Sequence, residues 1–106
     1  MKTVTMCGSM RYAEQMKDIA LRLEVIHEFN VLQCVYNENG MEISDIDRQK
    51  LSRSHVNKID LSDAIYVVDI DGYIGESVKS EIEYARNKQK EIIYHSEFDR
   101  KKKERS

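Results

Sequence analysis

Residues 71–85, with the sequence DGYIGESVKSEIEYA, decide the fold of this chain. They follow a short apolar run, Ala64 to Ile70, which is rich in β-branched residues and typical of a buried strand. Two glycines then turn the chain, and apolar residues recur at helical spacing after them. Ser77 or Ser80 is expected to accept hydrogen bonds from the free N–H groups of that helix. The stretch therefore predicts a strand, a glycine turn and a helix.

Two carboxylates on this helix differ in their expected surroundings. At about 100° per residue, Glu81 lies beside the apolar stripe on the side of Ser77, whereas Glu83 points away from it. Lys79 precedes Glu83 by four residues and gives it an ordinary exposed ion pair. Glu81 has no basic residue three or four positions away. Most helical glutamates are solvated surface groups, but a partly buried carboxylate just past a glycine turn is also a candidate catalytic residue.

Length and composition indicate one small domain. With 106 residues and 41% hydrophobic content, the chain can form one modest core with incomplete burial, so a homodimer or larger homo-oligomer is expected. The net charge of −2 gives no global field that would attract nucleic acid or an anionic membrane. Apolar runs stay well below the roughly 18 residues of a membrane span, and the N-terminus lacks a signal-peptide pattern. We expect a soluble cytoplasmic protein.

The two cysteines, Cys7 and Cys34, lie far apart and form no CxxC motif. This spacing favours reduced strand residues over a disulfide or a metal site. A zinc site that combines cysteine with His95 is the alternative. We predict no metal site and no cofactor.

The rest of the chain alternates strands and helices. Strands are predicted over Thr3–Cys7, Phe29–Val35 and Glu91–Tyr94. Helices are predicted from about Tyr12 to His27 and from Ser44 or Asp45 to an end near residues 60–63. Residues 1–96 are expected to form one domain, and residues 97–106 a charged, frayed tail. This alternation predicts an α/β fold with a three-layer, flavodoxin-like open parallel sheet. About four strands in the order 2-1-3-4 and about three helices fit the pattern.

In such a sheet, ligands bind beyond the carboxyl ends of the strands, near the switch point between strands 1 and 3. Two separate stretches meet at this edge and contribute Gly8, Ser9, Arg11, Asp69, Gly75, Ser77 and Glu81. A glycine that admits close approach, a serine hydroxyl, free helix N–H groups and an arginine together suit a phosphate. Glycine and serine are also favoured in turns for purely conformational reasons.

Three stretches resemble the nucleoside 2-deoxyribosyltransferase superfamily: Cys7–Arg11, Ser62–Val68 and Gly75–Ala85. The first is most similar to the 2′-deoxynucleoside 5′-phosphate N-hydrolase branch. The resemblance spans roughly Thr3 to Tyr94. It implies a flavodoxin-like homo-oligomer that cleaves the N-glycosidic bond of a deoxynucleoside or its 5′-monophosphate.

The resemblance also implies roles for individual residues. Glu81 would attack C1′ of the sugar as nucleophile, and water or a second base would then release the sugar. Ser9 and Arg11 would hold the 5′-phosphate, with Gly8, Gly75 and Ser77 in the same site. This Ser-x-Arg pattern favours a phosphorylated substrate over a free nucleoside.

The chain departs from the family pattern where an aspartate usually precedes the glutamate by about 24 to 26 residues; counted 26 back from Glu81, the position is 55. That position is His55, which fits either a histidine satisfied in the core beside Leu51 and Ile59 or an acid/base group. Asp60 and Asp69 are other candidates for the missing acid, and Asp69 lies at the strand exit.

Two further departures concern the base and the edge of the sheet. Thr5 stands where the hydrolase branch has an aromatic residue, so Tyr12 or Tyr73 is expected to stack on the base instead. Contacts that the family takes from a fifth strand are expected from a neighbouring subunit or not at all. A non-catalytic sensor of a nucleotide or an ADP-ribose-like ligand is the alternative function for the same crevice.

Overall fold

The computed structural model describes residues 1–99. Strands and helices alternate along the chain in the order β1 (Thr3–Cys7), α1 (Ala13–Val25), β2 (Asn30–Leu32), α2 (Asp45–Asp60), β3 (Ala64–Val67), α3 (Glu76–Asn87) and β4 (Glu91–Tyr94). Short 3₁₀ turns, Met10–Tyr12 and Ile70–Gly72, follow β1 and β3, and residues 95–99 are helical. Among the helices of these 99 residues, none is both long and apolar enough to cross a membrane.

The four strands form one parallel sheet in the order β2-β1-β3-β4. Val4 of β1 pairs with Val31 of β2 on one side and with Ala64 of β3 on the other. The predicted α/β fold and its strand order are therefore confirmed. Strand β2 is shorter than the predicted Phe29–Val35, because only Asn30–Leu32 pairs with the sheet.

Side chains of the two central strands alternate between two apolar layers, as a pleated strand requires. Met6 and Tyr66 pack on the face covered by α1, in one cluster with Met16 and Leu23. The opposite face carries a second cluster of buried residues from β1, β3, α2 and α3, namely Cys7, Ile59, Ile65, Val67, Val78, Ile82 and Ala85. The fold thus has three layers, with α2 and α3 on the same face of the sheet.

The helix starts differ in how they are capped. Ser44 accepts a hydrogen bond from the Asp47 N–H at 3.1 Å, and its own N–H donates to the Asp47 carboxylate at 3.2 Å. This capping box begins α2 where the sequence predicts it. The prediction that a serine caps α3 is wrong, because the N-cap residue of this helix is Gly75 and no side chain caps the helix. Gly72 has a φ of 73°, which glycine adopts without steric cost and which turns the chain toward α3.

Part of the segment predicted as a tail is ordered. Residues 97–99 continue the helix after β4. The Phe98 ring packs edge-on against Tyr66 at 5.7 Å between centroids and against His27 at 4.8 Å. These aromatic contacts anchor the segment to the α1 face of the sheet. Residues 100–106, the charged part of the predicted tail, lie outside the described residues.

Candidate active site

An open cavity of about 670 Å³ lies at the carboxyl edge of the sheet, between the end of β1, α2 and the start of α3. Its lining includes five of the residues that the sequence places in the site: Gly8, Ser9, Gly75, Ser77 and Glu81. His55 of α2 also lines it. The two distant stretches therefore meet in one crevice, at the place where parallel α/β sheets bind ligands.

Glu81 is the central carboxylate of this cavity. Its Oε1 lies 2.9 Å from His55 Nε2, and Ser77 Oγ donates to its Oε2 at 3.4 Å. The Glu81 side chain is 17% exposed to solvent, and the His55 side chain is 15% exposed. Ser77 lies one helical turn before Glu81, which explains why both side chains point to the same side of α3. The carboxylate is thus fixed in direction but still reachable from the cavity.

His55 does not occupy a hydrophobic core between Leu51 and Ile59. Leu51 is 44% exposed, and α2 buries only Ile59 among its residues. His55 instead faces Glu81, while its Nδ1 is buried and has no hydrogen-bond partner in the described part of the chain. An N–H group is costly to bury unpaired, so the neutral tautomer with the proton on Nε2 fits best. His55 then donates to the Glu81 carboxylate.

Cys7, at the end of β1, lies beside the His55–Glu81 pair. Its Sγ lies 3.5 Å from the same His55 Nε2 that contacts Glu81. A Cys-His-acid triad would need the acid on one ring nitrogen and the thiol on the other. Here the Cys7 thiol and the Glu81 carboxylate both contact Nε2, so the arrangement does not activate the thiol. Burial raises the pKa of the Cys7 thiol well above its ordinary value, and the Glu81 charge raises this pKa further.

Groups that suit an anion line the same cavity at the end of β1 and at the start of α3. A Cβ at Gly8 would lie 3.0 Å from Met16 Sδ and 3.1 Å from Val68 Cβ, so packing against these two core side chains favours glycine there. Ser9 Oγ accepts the Arg11 N–H at 3.3 Å and keeps its own proton to donate. The start of α3 at Gly75 carries no side-chain cap, so its first N–H groups remain free to bind an anion.

Arg11 lies at the rim rather than in the lining. Its guanidinium carbon is 4.1 Å from the centroid of the Tyr73 ring, a cation–π arrangement. Tyr73 itself lines the cavity, and Tyr12 meets it edge-on at 6.3 Å. The guanidinium is therefore next to the cavity wall on a rigid aromatic support.

Sequence reasoning missed two cations of the cavity, Arg48 and Lys58. Both lie on α2 at helical spacing from His55, which was the available signal. Lys58 Nζ donates to the Gln33 carbonyl at 2.8 Å and so also ties α2 to the chain after β2. Together they add positive charge to the part of the cavity that α2 lines.

Asp69 lies at the exit of β3 as expected, but its carboxylate contacts the helix after β4. It accepts the Ser96 N–H at 2.8 Å and the Ser96 hydroxyl at 2.7 Å, and it is 8% exposed. The described lining of the cavity does not include it. The geometry makes Asp69 a cap for residues 95–99 and leaves His55 as the acid/base candidate beside Glu81. The other candidate, Asp60, accepts the Tyr84 hydroxyl at 2.6 Å.

Protein-family models, curated proteins and solved structures gave no match to this chain.

Replacing Asp69 with alanine should lower the stability of the protein and leave the site chemistry intact. The change removes the two hydrogen bonds to Ser96 that cap residues 95–99, and this loss is worth about 1–2 kcal/mol. Urea denaturation followed by circular dichroism would measure the loss. An Asp69→Ala protein with wild-type stability and lost ligand turnover would instead make Asp69 part of the reaction.

Proposed function

We propose that this domain cleaves the N-glycosidic bond of a deoxynucleoside 5′-monophosphate, with Glu81 as the nucleophile. The observation that carries the proposal is the Glu81 carboxylate, which faces a 670 Å³ cavity while His55 and Ser77 fix its direction. Small-molecule sites commonly measure about 300–1,000 Å³, so a mononucleotide matches the space. Ser9 and the uncapped start of α3, which suit a phosphate, line the same cavity and add to the support.

The first step would form a bond between Glu81 and C1′ of the sugar while the bond from C1′ to the base nitrogen breaks. Oε1 is held by His55 at 2.9 Å, whereas the 3.4 Å contact of Oε2 with Ser77 is weak. Oε2 is therefore the freer oxygen for attack. The charge that leaves the carboxylate balances the positive charge developing on the sugar, as in retaining glycosidases.

His55 would act as general acid in the first step and as general base in the second. For this step His55 must carry a second proton, taken up on Nδ1; as Glu81 becomes an ester, it loses the negative charge that holds the Nε2–H proton, which can then pass to the departing base and leave a neutral imidazole. The resulting neutral Nε2 can accept a proton from the water that attacks C1′ in the second step. An imidazole suits both transfers because it can gain or lose a proton near neutral pH. Water yields hydrolysis, and a second base in its place yields transfer.

The 5′-phosphate would bind between Ser9 and the uncapped start of α3. Ser9 can donate its hydroxyl proton to the phosphate. The free N–H groups after Gly75 can donate as well, and the positive end of the α3 dipole lies at this point. Arg11 would approach from the rim, where Tyr73 supports its guanidinium. A phosphate at the start of α3 places the sugar within reach of Glu81, which follows one turn later.

Removal of the Arg11 side chain should weaken the use of monophosphates selectively. With Arg11→Ala, we expect kcat/KM for the monophosphate to fall by about 2 kcal/mol, roughly 30-fold, through loss of a charge-assisted contact. The value for the unphosphorylated nucleoside should stay unchanged. Arg22→Ala is the matched control, because Arg22 is exposed on α1 and pairs with Asp18 at 2.9 Å. Equal losses for both substrates would contradict phosphate binding by Arg11.

The proposed reaction is tested by incubating the purified chain with a panel of deoxynucleoside and ribonucleoside monophosphates. Free base is followed by chromatography, with and without added acceptor bases. Release of base from at least one deoxynucleoside monophosphate is expected. Tight binding of a nucleotide or of ADP-ribose without any release would make the domain a ligand sensor and remove the enzymatic proposal.

A further inference from the structure

The cluster of Cys7, His55 and Glu81 has the composition of a transition-metal site. One donor atom from each residue lies within 4.8 Å of the other two, and the Cys7 side chain is buried while the other two are partly buried. The donors come from β1, α2 and α3, so three packed elements hold them in place. Sequence reasoning predicted no metal site because the ligands are 48 and 26 positions apart and form no motif.

Two of the three ligand pairs lie near the spacing of ligands on one tetrahedral ion, and the third pair, Cys7 and Glu81, lies within 4.8 Å. With metal–ligand lengths of about 2.3 Å for sulfur and about 2.0–2.2 Å for nitrogen or oxygen, two ligands of a tetrahedral zinc lie about 3.3–3.6 Å apart. Cys7 Sγ and His55 Nε2 are 3.5 Å apart. The 2.9 Å between His55 Nε2 and Glu81 Oε1 would need to open by a few tenths of an ångström. Both pairs share Nε2, the nitrogen that would bind the ion.

We propose that Cys7, His55 and Glu81 bind a zinc ion, and that this ion blocks the Glu81 carboxylate. A thiolate, an imidazole and a carboxylate form a donor set that zinc uses, with a fourth position left to solvent on the cavity side. On binding, the Cys7 thiol releases its proton to solvent, and the His55 proton moves from Nε2 to the buried Nδ1, a cost that the bond between zinc and Nε2 must offset. Glu81 remains ionised and gives an oxygen to zinc. A coordinated carboxylate is a poor nucleophile, so zinc would stop the chemistry.

Metal binding is tested directly with the purified full chain and Co²⁺ as a spectroscopic substitute for Zn²⁺. We expect one Co²⁺ per chain and a near-ultraviolet charge-transfer band from thiolate to cobalt. Cys7→Ser should abolish the band, and zinc affinity should fall by more than about 100-fold, because even outer partners of a metal site are worth about 10- to 100-fold. Glu81→Gln, which keeps the side-chain shape, should weaken zinc binding in the same direction. Thermal denaturation confirms that each variant is folded.

Cys34→Ser is the matched control, since Cys34 is the other cysteine and does not belong to the cluster. It should keep both the band and the zinc affinity of the wild type. Absence of cobalt binding, or a band that survives Cys7→Ser, would overturn the metal site.

Inhibition by zinc rests on the proposed glycosidase activity, and it is measured separately, as the release of base with and without zinc. Zinc should suppress base release in proportion to occupancy, and a chelator should restore it. Base release that persists or rises at saturating zinc would overturn the block. If no substrate releases base, the proposed function fails, while the cobalt band still decides whether the metal site exists.

Discussion

Glu81→Gln should reduce the release of base from a deoxynucleoside monophosphate by on the order of 10³-fold or more. The amide cannot attack C1′ to form the sugar ester, so the covalent route is lost. The substitution keeps the volume of the side chain and can still hydrogen-bond to His55 and Ser77, so the site keeps its shape. Steady-state kinetics with chromatographic detection of the base measure the loss. Ligand affinity should change far less than kcat.

Glu83→Gln is the control for this prediction. Glu83 lies two residues later on the same helix and is exposed, so its amide tests the same chemical change away from the cavity. We expect wild-type kinetics for this variant. Equal activity of Glu81→Gln and Glu83→Gln would exclude Glu81 as the nucleophile.

Tyr66→Ala should cost about 3–5 kcal/mol in the free energy of unfolding. Tyr66 is 1% exposed on β3, the strand between β1 and β4, and it is the largest fully buried side chain among those described. Its loss leaves a cavity where the sheet, α1 and Phe98 meet. Since domains of this size are stable by only about 5–15 kcal/mol, the variant should unfold at much lower denaturant concentration.

Tyr66→Phe separates the ring from the hydroxyl. The Tyr66 hydroxyl lies 2.7 Å from His95 Nδ1, and removing it should cost only about 1 kcal/mol. Urea midpoints of both variants give the two contributions. Similar midpoints for Tyr66→Ala and Tyr66→Phe would contradict a core centred on this ring.

Local patterns were sufficient to predict the order of the strands and helices and the strand order of the sheet. The β-branched run before Asp69 and the capping box at Ser44 each predict their element because the responsible contacts lie within a few residues. The end of β2 was not predictable in this way. Cys34 and Tyr36 continue the apolar pattern, yet they pack against the α1 cluster as part of a loop and not as paired strand residues.

The site was predictable only where its contacts are local. The i, i+4 spacing of Ser77 and Glu81 places them together on α3. The pairing of His55 with Glu81 depends on how α2 lies against α3, which no local pattern contains. Similarly, a strand exit predicts the position of Asp69 but not the direction of its side chain, which turns toward Ser96.

Capture of the covalent intermediate tests the central claim most directly. The measurement uses a deoxynucleoside monophosphate with fluorine at C2′, which destabilises the oxocarbenium-like transition state and slows turnover. Intact-protein and peptide mass spectrometry then locate any added sugar phosphate. We predict an adduct on Glu81 that is absent from Glu81→Gln. Release of base from the natural substrate with an adduct on another residue would contradict attack by Glu81.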